Sequence, residues 1–435
     1  MLEERISTSN IKSGSVVVAG WVREIRDFGK LKFIILADRE GEVQITAKAN
    51  EVESEILEII DKLGKEDVIV VKGNVRENEK APGGKEIVPE KIEILNTSER
   101  VLPLEIRSKA KAELSTRLDN RFLDLRKKEV LAIFKIRSQV ANAIREFFHE
   151  NGFIEIHTPK IVASATESGA NVFPILYFEK EAFLAQSPQF YKQACVVGGF
   201  EKVFEIAPAF RAEKHHTIRH LTEYTSVDAE IGFIKSHEDV MKVVENLIKY
   251  IFEKVLERCK KELNMLNVEL SVPKLPIKRI TMREAYKLLE KEGYSVEYGD
   301  ELNTEAEKLF GKIVKEKFGT DFVFLTEFPW KVRPFYTYRK ENEPEWTKSF
   351  DLIYKGIEIV TGGQREHRYE ILLSQCKEKG VTPEKIEFYL KMFKYGAPPH
   401  GGFGLGLDRL IMLMLNLSNV REATLFPRDP ERLEP

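Results

Sequence analysis

The sequence has few cysteines, no long apolar run and almost no net charge. Its three cysteines, Cys195, Cys259 and Cys376, lie far apart without the spacing of metal ligands, which predicts a reducing compartment and no structural zinc. There is no signal-peptide pattern and no apolar stretch long enough to span a bilayer, so we expect a soluble, cytoplasmic protein. A net charge of −2 provides no bulk attraction for nucleic acids, although local patches decide such binding.

The first hundred residues contain short alternating runs that are typical of β-strands. Five strands with one helix before the fourth predict an OB-fold barrel, at Ser15–Val22, Leu31–Asp38, Glu42–Ala47, the helix Ser54–Leu63, Val68–Val75 and Lys85–Ile94. We therefore divide the chain into an OB-fold domain at 1–100, a linker at 101–130 and a larger domain at 131–435. Taken alone, the barrel is also compatible with a structural or protein-binding role.

The larger domain is predicted to be α+β. A helix is expected at Lys128–Glu150, because its apolar residues recur with helical spacing and Asn151-Gly152 supplies a stop. The strands that follow are joined mostly by hairpin-length links, which favours an antiparallel sheet with helices packed against it.

A predicted hairpin at 204–230 carries a polar tip crowded with cations. The tip contains Arg211, Lys214, Arg219 and three histidines beside Glu213. Arginine forks bind phosphate oxygens in pairs, and Glu213 can accept a hydrogen bond from an amine. The tip therefore suits a polyphosphate, while a solvated loop with ordinary charges remains open.

Three further segments carry candidate chemistry. Polar groups follow an apolar strand at Gln186–Lys192, and Glu358 and Thr361 offer hard oxygen ligands suited to Mg²⁺. The glycines of 401–406 would let the backbone approach a ligand closely, and Arg409 near the start of an apolar helix requires an anionic partner. The open alternatives are a surface loop, an ion pair for Asp351 or Glu358, and packing glycines.

Taken together and in this order, these segments resemble the class II aminoacyl-tRNA synthetases, in particular the archaeal-type aspartyl-tRNA synthetases. The resemblance rests on the helix and strand ending at Pro159, the FRAE…RH hairpin, GLGLDRL, and LFPRDP at 425–430. It implies a homodimer that activates L-aspartate with ATP and Mg²⁺ and transfers it to tRNA(Asp). Departures from the family pattern fall at Lys214, His216 and Asp408.

The resemblance also implies roles for individual residues. Arg211 and Arg409 would be catalytic, and Glu358 and Thr361 would hold the metal. The residues implied to bind ATP are Arg211, Glu213, Arg219, His220, Leu221, Glu358, Gly406 and Arg409. Those implied to bind aspartate are Glu167, Gln189, Lys192, Arg211, Asp228, Thr361 and Arg365. Because Lys192 and Arg365 would face the side-chain carboxylate, a neutral amide would leave them partly unmatched, which favours aspartate.

In the barrel, the resemblance implies an anticodon-binding face. Phe33 would stack on a base, with the remaining contacts from Arg26, Gln44, Pro82 and Glu86. Taken alone, Phe33 would be read as an inward barrel residue. In the family, the positions of Arg23 and Pro82 separate enzymes that charge only tRNA(Asp) from those that also charge tRNA(Asn). Pro82 matches the second group and Arg23 matches neither, so we expect tRNA(Asn) to be a second acceptor.

Three rival readings remain. The chain could be an asparaginyl-tRNA synthetase, but family members lack a lysine at the Lys192 position. A paralogue that makes free asparagine would lack the barrel. A non-catalytic RNA-binding relative would lack Arg211, Glu358 or Arg409, all of which are present.

Overall fold

The computed structural model describes residues 1–107, 112–164, 171–214 and 217–435. These residues form two compact units, Met1–Lys127 and Lys128–Pro435. Glu167, predicted to contact aspartate, and His216 lie outside the described residues. None of the described helices combines the length and the apolar character needed to cross a membrane.

The first unit contains the predicted OB-fold barrel. Its elements are β1 (Gly14–Asp27), β2 (Leu31–Ala37), β3 (Glu42–Lys48), α1 (Ser54–Lys62), β4 (Val68–Glu77) and β5 (Lys85–Asn96). The strands close in the order β1-β2-β3-β5-β4, with β3 and β5 parallel. Alternation places Ile34, Leu36, Val43 and Ile45 in the barrel core, which is why five short runs close around one apolar interior. The unit continues through α2 (Leu114–Asp119) and α3 (Arg121–Asp124).

The second unit contains the remaining elements. Its helices are α4 (Lys128–Glu150), α5 (Gln189–Cys195), α6 (His237–Arg258), α7 (Lys260–Met265), α8 (Met282–Lys291), α9 (Thr304–Phe318), α10 (Tyr369–Glu378), α11 (Glu387–Phe393) and α12 (Leu407–Met414). Its strands are β6 (Ile154–Glu155), β7 (Ile161–Val162), β8 (Pro174–Tyr177), β9 (Lys180–Leu184), β10 (Lys202–Phe210), β11 (Glu223–Gly232), β12 (Lys278–Thr281), β13 (Phe322–Thr326), β14 (Ser349–Tyr354), β15 (Ile357–Gln364) and β16 (His400–Gly406).

Among the described residues, eight strands form the central sheet in the order β12-β13-β14-β15-β16-β11-β10-β6. The pairs from β13 to β10 are antiparallel, and the outermost pairs β12–β13 and β10–β6 are parallel. The predicted α+β class with an antiparallel sheet is therefore confirmed.

One face of this sheet is apolar and packs against helices. Phe204, Val227, Val360 and Phe403 share a buried cluster with side chains of α6, among them Leu247. The register leaves a polar row on the other face, because directly paired residues of adjacent strands point to the same side. Glu205 pairs with Asp228, Asp228 with Gly404, Gly404 with Thr361, and Thr361 with Asp351.

The glycines of β16 correct one expectation. We expected them to admit a ligand, but β16 is a strand inside the sheet, and a Cβ on Gly402 would lie 2.1 Å from the Ala229 carbonyl oxygen. The glycine thus permits contact between neighbouring strands. Of the four glycines of this strand, Gly404 and Gly406 line the cavity described below.

Candidate active site and nucleic-acid interface

The polar row opens into a cavity of about 370 Å³ in the second unit. Its walls come from α5, the β10–β11 hairpin, β14, β15, and the junction of β16 with α12. The structure brings together here all the predicted ATP and aspartate residues that it describes: Gln189, Lys192, Arg211, Glu213, Arg219, His220, Leu221, Asp228, Glu358, Thr361, Arg365, Gly406 and Arg409. Residues up to 220 positions apart in the sequence thus converge on one site.

One end of the cavity holds two buried cations with two buried carboxylates. Lys192 Nζ lies 2.8 Å from Asp228 Oδ1, 3.1 Å from the Phe403 carbonyl oxygen and 3.5 Å from Glu230 Oε2. Arg365 Nε donates to Glu230 Oε1 at 3.0 Å. Burial opposes ionisation of Glu230, but Arg365 and Lys192 together lower its pKa below the usual value. Each of the two cations therefore has a carboxylate partner inside the protein.

This arrangement corrects the reason given for carboxylate selection. We expected a neutral amide to leave Lys192 and Arg365 unmatched, yet both cations have carboxylate partners within the protein. Discrimination between a side-chain carboxylate and a neutral amide must then arise from how the substrate group shares these two cations with Asp228 and Glu230. The sequence did not identify Glu230 as a site residue, because nothing local distinguishes it from other strand residues.

The other end of the cavity is rich in arginine. Arg409 Nη1 donates to the Glu358 carbonyl oxygen at 2.6 Å and lies 3.7 Å from Glu358 Oε1. Arg219 pairs with Glu307 of α9. Burial, together with Arg409 and Arg219, lowers the pKa of His220 to about 4, so this imidazole is neutral at physiological pH. Arg211, Arg219 and Arg409 lie beside this neutral histidine, and such a group of guanidinium ions suits a polyphosphate.

Hard oxygen atoms lie between these two ends. Thr361 Oγ1 donates to Asp351 Oδ1 at 2.6 Å, and the Arg333 guanidinium contacts both side chains at 3.2 and 2.8 Å. Burial raises the pKa of Asp351 to about 7, with Arg333 acting in the opposite direction. Within the described ranges, no three His, Cys, Asp or Glu side chains are arranged to hold a metal. The oxygen atoms of Thr361 and Asp351 are hard donors of the kind that suit Mg²⁺.

Two of these residues escaped the sequence analysis. Arg333 and Glu307 come from segments without a recognisable motif, and Glu307 lies on a helix that we did not predict. Arg333 packs its guanidinium 3.6 Å from the centre of the Phe328 ring. The departure at Asp408 also has a structural basis, since Asp408 accepts from Arg137 at 2.6 Å and from the Thr225 amide at 2.7 Å.

The barrel carries four of the five predicted anticodon residues, Arg26, Phe33, Gln44 and Glu86, on one face outside its apolar core. Phe33 pairs with Arg26 on one side and Thr46 on the other, and Gln44 pairs with Glu86. Phe33 is only partly buried, lies outside the barrel core cluster and contacts the exposed Phe28 edge to face. The inward reading of Phe33 is therefore wrong.

The acceptor Glu86 is held rigidly on this face. Its carboxylate accepts from Thr46 and Asn78 at 2.7 Å and from Gln44 at 3.0 Å, and Arg76 Nε lies 2.8 Å away. Burial opposes ionisation, but these hydrogen bonds lower the pKa of Glu86 below its usual value. Because Gln44 donates its amide nitrogen to Glu86, its carbonyl oxygen is the atom left for another partner.

The two residues linked to tRNA choice also belong to the barrel, Arg23 in β1 and Pro82 just before β5. Arg23 is buried, forms an ion pair with Glu66 and donates to the Arg126 carbonyl oxygen at 3.4 Å. Pro82 begins a short turn, Pro82–Gly84, that leads into β5. The guanidinium of Arg23 is therefore committed to the protein itself.

Comparison with known proteins agrees with this geometry. The profile of tRNA synthetases class II (D, K and N) matches residues 113–430, and that of the OB-fold nucleic acid binding domain matches residues 16–95. The aspartate–tRNA(Asp) ligase of Pyrococcus furiosus is 55% identical over 98% of both chains. The aspartate–tRNA(Asp/Asn) ligase of Methanopyrus kandleri is 53% identical over 97% of this chain and 96% of its own.

A solved structure of the same architecture is that of asparaginyl-tRNA synthetase from Pyrococcus horikoshii complexed with asparaginyl-adenylate. It superposes with a TM-score of 0.94 at 36% identity and covers 100% of both chains. The matched profiles span both units, and the cavity lies within the part matched by the synthetase profile. The chain therefore belongs to the class II aminoacyl-tRNA synthetases, in the group that comprises the enzymes for aspartate, asparagine and lysine.

Proposed function

We propose that the chain is a cytoplasmic aspartate–tRNA ligase. It activates L-aspartate with ATP to aspartyl-adenylate and pyrophosphate, then transfers the aspartyl group to the 3′ end of tRNA(Asp). The observation that carries the proposal is one cavity with a lysine–arginine pair at one end and three arginines at the other. Relatives that are 53–55% identical over nearly the whole chain are named aspartate–tRNA ligases.

In this proposal the chemistry depends on positioning and charge. The α-carboxylate of aspartate attacks the α-phosphate of ATP, and negative charge develops on the phosphate oxygens and the departing pyrophosphate. Arg211, which lines the cavity, would orient both reacting groups, while Arg219, His220 and Arg409 would hold the distal phosphates. Glu213 would accept from the adenine amine.

At the amino-acid end, Lys192 and Arg365 would bind the side-chain carboxylate, and Gln189 and Asp228 would accept from the ammonium. The oxygens of Glu358 and Thr361, with Asp351, would hold Mg²⁺, which supplies charge neutralisation to the phosphates when bound. The backbone carbonyl of Glu358 also accepts a hydrogen bond from Arg409. This bond would hold the residues that bind Mg²⁺ in a fixed position relative to those that bind the phosphates.

A second acceptor, tRNA(Asn), belongs to the same proposal. Arg23 is the one charged residue at the two positions linked to tRNA choice. Because its guanidinium forms an ion pair with Glu66, it would not contact the anticodon. Pro82 has no backbone donor, so it contributes no penalty against the wrong anticodon base. The relatives include ligases named for tRNA(Asp) alone and for both tRNAs.

Homodimer formation also belongs to the proposal. The exposed apolar side chains Ile154, Ile161, Phe200 and Phe233 are 45–70% accessible in the single chain. Ile154 lies on β6, in the segment that resembles the family's two-fold interface. Ile161 follows on β7, and Phe200 and Phe233 flank the β10–β11 hairpin that pairs with β6. Covering such side chains is a common reason for isologous dimers.

The decisive experiment is ATP–pyrophosphate exchange without tRNA, with aspartate or asparagine as the amino acid. Aspartate should stimulate exchange in the presence of Mg²⁺ and asparagine should not. The rival asparaginyl activity rests on a structural relative of 36% identity, against 53–55% for the aspartate ligases. Exchange that folded protein supports with asparagine alone would overturn the proposal.

A further inference from the structure

A chain of buried polar groups leads from the sheet to the amino-acid end of the cavity. His400 Nδ1 lies 2.8 Å from the Pro398 carbonyl oxygen, and His400 Nε2 lies 2.7 Å from Gln193 Nε2. Gln193 Oε1 accepts from the Tyr389 hydroxyl at 3.0 Å and from Gln189 Nε2 at 2.8 Å. Gln193, Tyr389 and His400 have no accessible surface, and Gln189 alone of the four side chains lines the cavity.

The direction of every hydrogen bond in this series of buried groups follows from the Pro398 carbonyl, at which the series begins. The Pro398 carbonyl can only accept, so His400 must carry its proton on Nδ1. Burial, with Arg365 nearby, lowers the pKa of His400, so the imidazole is neutral and its Nε2 accepts. Gln193 must therefore present its NH₂ group to His400 and its oxygen to Gln189.

The orientation of the Gln189 amide follows in turn from that of Gln193. Because Gln193 Oε1 can only accept, Gln189 must turn its NH₂ group towards Gln193. The remaining amide atom of Gln189, Oε1, is an acceptor and is the one left for the cavity. With the amide reversed, Gln189 would present a donor, which cannot bond a substrate ammonium.

We propose that Gln193 and His400 are positioning residues that fix the Gln189 amide with its oxygen towards the substrate ammonium. The inference rests on the proposed aspartate activation and adds two residues that do not themselves touch the substrate. It also gives a reason for the complete burial of Gln193 and His400. Away from water, each of these side chains has its hydrogen bonds satisfied in only one orientation.

Gln193→Leu removes both the acceptor for Gln189 and the donor to His400. The KM for aspartate in ATP–pyrophosphate exchange should rise about 10- to 100-fold, the value of a hydrogen bond to a charged group, with the KM for ATP unchanged. Gln193→Glu keeps an acceptor for Gln189 and should stay much closer to wild type. His400→Leu is the second variant and should show the pattern of Gln193→Leu to a smaller degree.

Inhibition by succinate distinguishes a lost orientation of the Gln189 amide from a general disturbance of the pocket, because succinate has both carboxylates of aspartate and no ammonium. Its inhibition constant should be the same in wild type and Gln193→Leu. An equal loss of aspartate and succinate binding, or equal KM values for the Leu and Glu variants, would overturn the inference. Wild-type protein without aspartate-dependent exchange would instead overturn the proposed function, so the two failures are distinguishable.

Discussion

Arg219 forms an ion pair with Glu307 and donates a 2.8 Å hydrogen bond to the Thr304 hydroxyl, across 88 and 85 residues of sequence. The pair joins the cationic hairpin tip to the start of α9. The cation proposed to bind the distal phosphates of ATP therefore has a protein carboxylate as a competing partner.

Replacing Glu307 with glutamine should lower the KM for ATP. The charge-assisted bond to Arg219 becomes a weaker neutral one, so the phosphates compete for the guanidinium more easily, by about a few-fold for a largely buried pair. Exchange kinetics at varied ATP measure the effect. Glu305→Gln, an exposed position on the same helix, is the matched control, and a KM that rises in Glu307→Gln would contradict the prediction.

Lys192→Met and Arg365→Leu should each reduce kcat/KM for aspartate by about 10² to 10⁴, because the substrate carboxylate loses a charge-assisted partner. The KM for ATP should change little. Lys331→Met is the control, since Lys331 is exposed and pairs with Asp300 outside the cavity. Normal aspartate activation by either active-site variant would show that the carboxylate binds elsewhere.

The stability of the protein should depend on pH through His220. Its pKa is about 4 in the folded state and about 6.5 in an unfolded chain, so below pH 6.5 the unfolded state binds the extra proton. Stability is therefore lost as the pH falls from 6.5 towards 4. The Tm advantage of wild type over His220→Asn should be smaller at pH 5 than at pH 7. An advantage that does not change with pH would mean that His220 titrates normally.

The protein should be a dimer in solution. Light scattering should report about twice the 50.2 kDa mass of one chain. Phe233→Asp, which places a charge at a 70% exposed apolar position, should shift the mass towards the monomer. Tyr395→Asp, at a 76% exposed position on another segment, should leave it unchanged. An active wild-type monomer would refute the prediction.

The efficiencies with which tRNA(Asp) and tRNA(Asn) are aspartylated should differ by much less than in an enzyme that charges tRNA(Asp) alone. At equal concentrations, tRNA(Asp) and tRNA(Asn) should both be aspartylated, because neither Arg23 nor Pro82 offers a group that penalises the wrong base. A preference for tRNA(Asp) above about 10³-fold, more than one mismatched contact supplies, would establish strict recognition.

Local pattern alone determined much of the architecture. The helix Lys128–Glu150 has the predicted bounds, and the predicted barrel strand Glu42–Ala47 ends within one residue of its observed end. Such elements follow from periodicity and turn residues, which act over a few positions. Likewise, the cationic hairpin tip and the GLGLDRL segment carry their chemistry in consecutive residues.

Tertiary structure decided the rest. The strand His400–Gly406 was missed because glycines weaken a strand signal, and only contact with Ala229 and its neighbours makes them necessary. Arg365 and Glu230 pair across 135 residues, and Gln193 and His400 across 207. No local pattern encodes such pairs, because they exist only once strand order and register place distant side chains on one face of the sheet. The residues predicted to bind ATP and aspartate could thus be named from the sequence. Glu230, Glu307 and Arg333, and the partners and orientations of all these side chains, came from the fold.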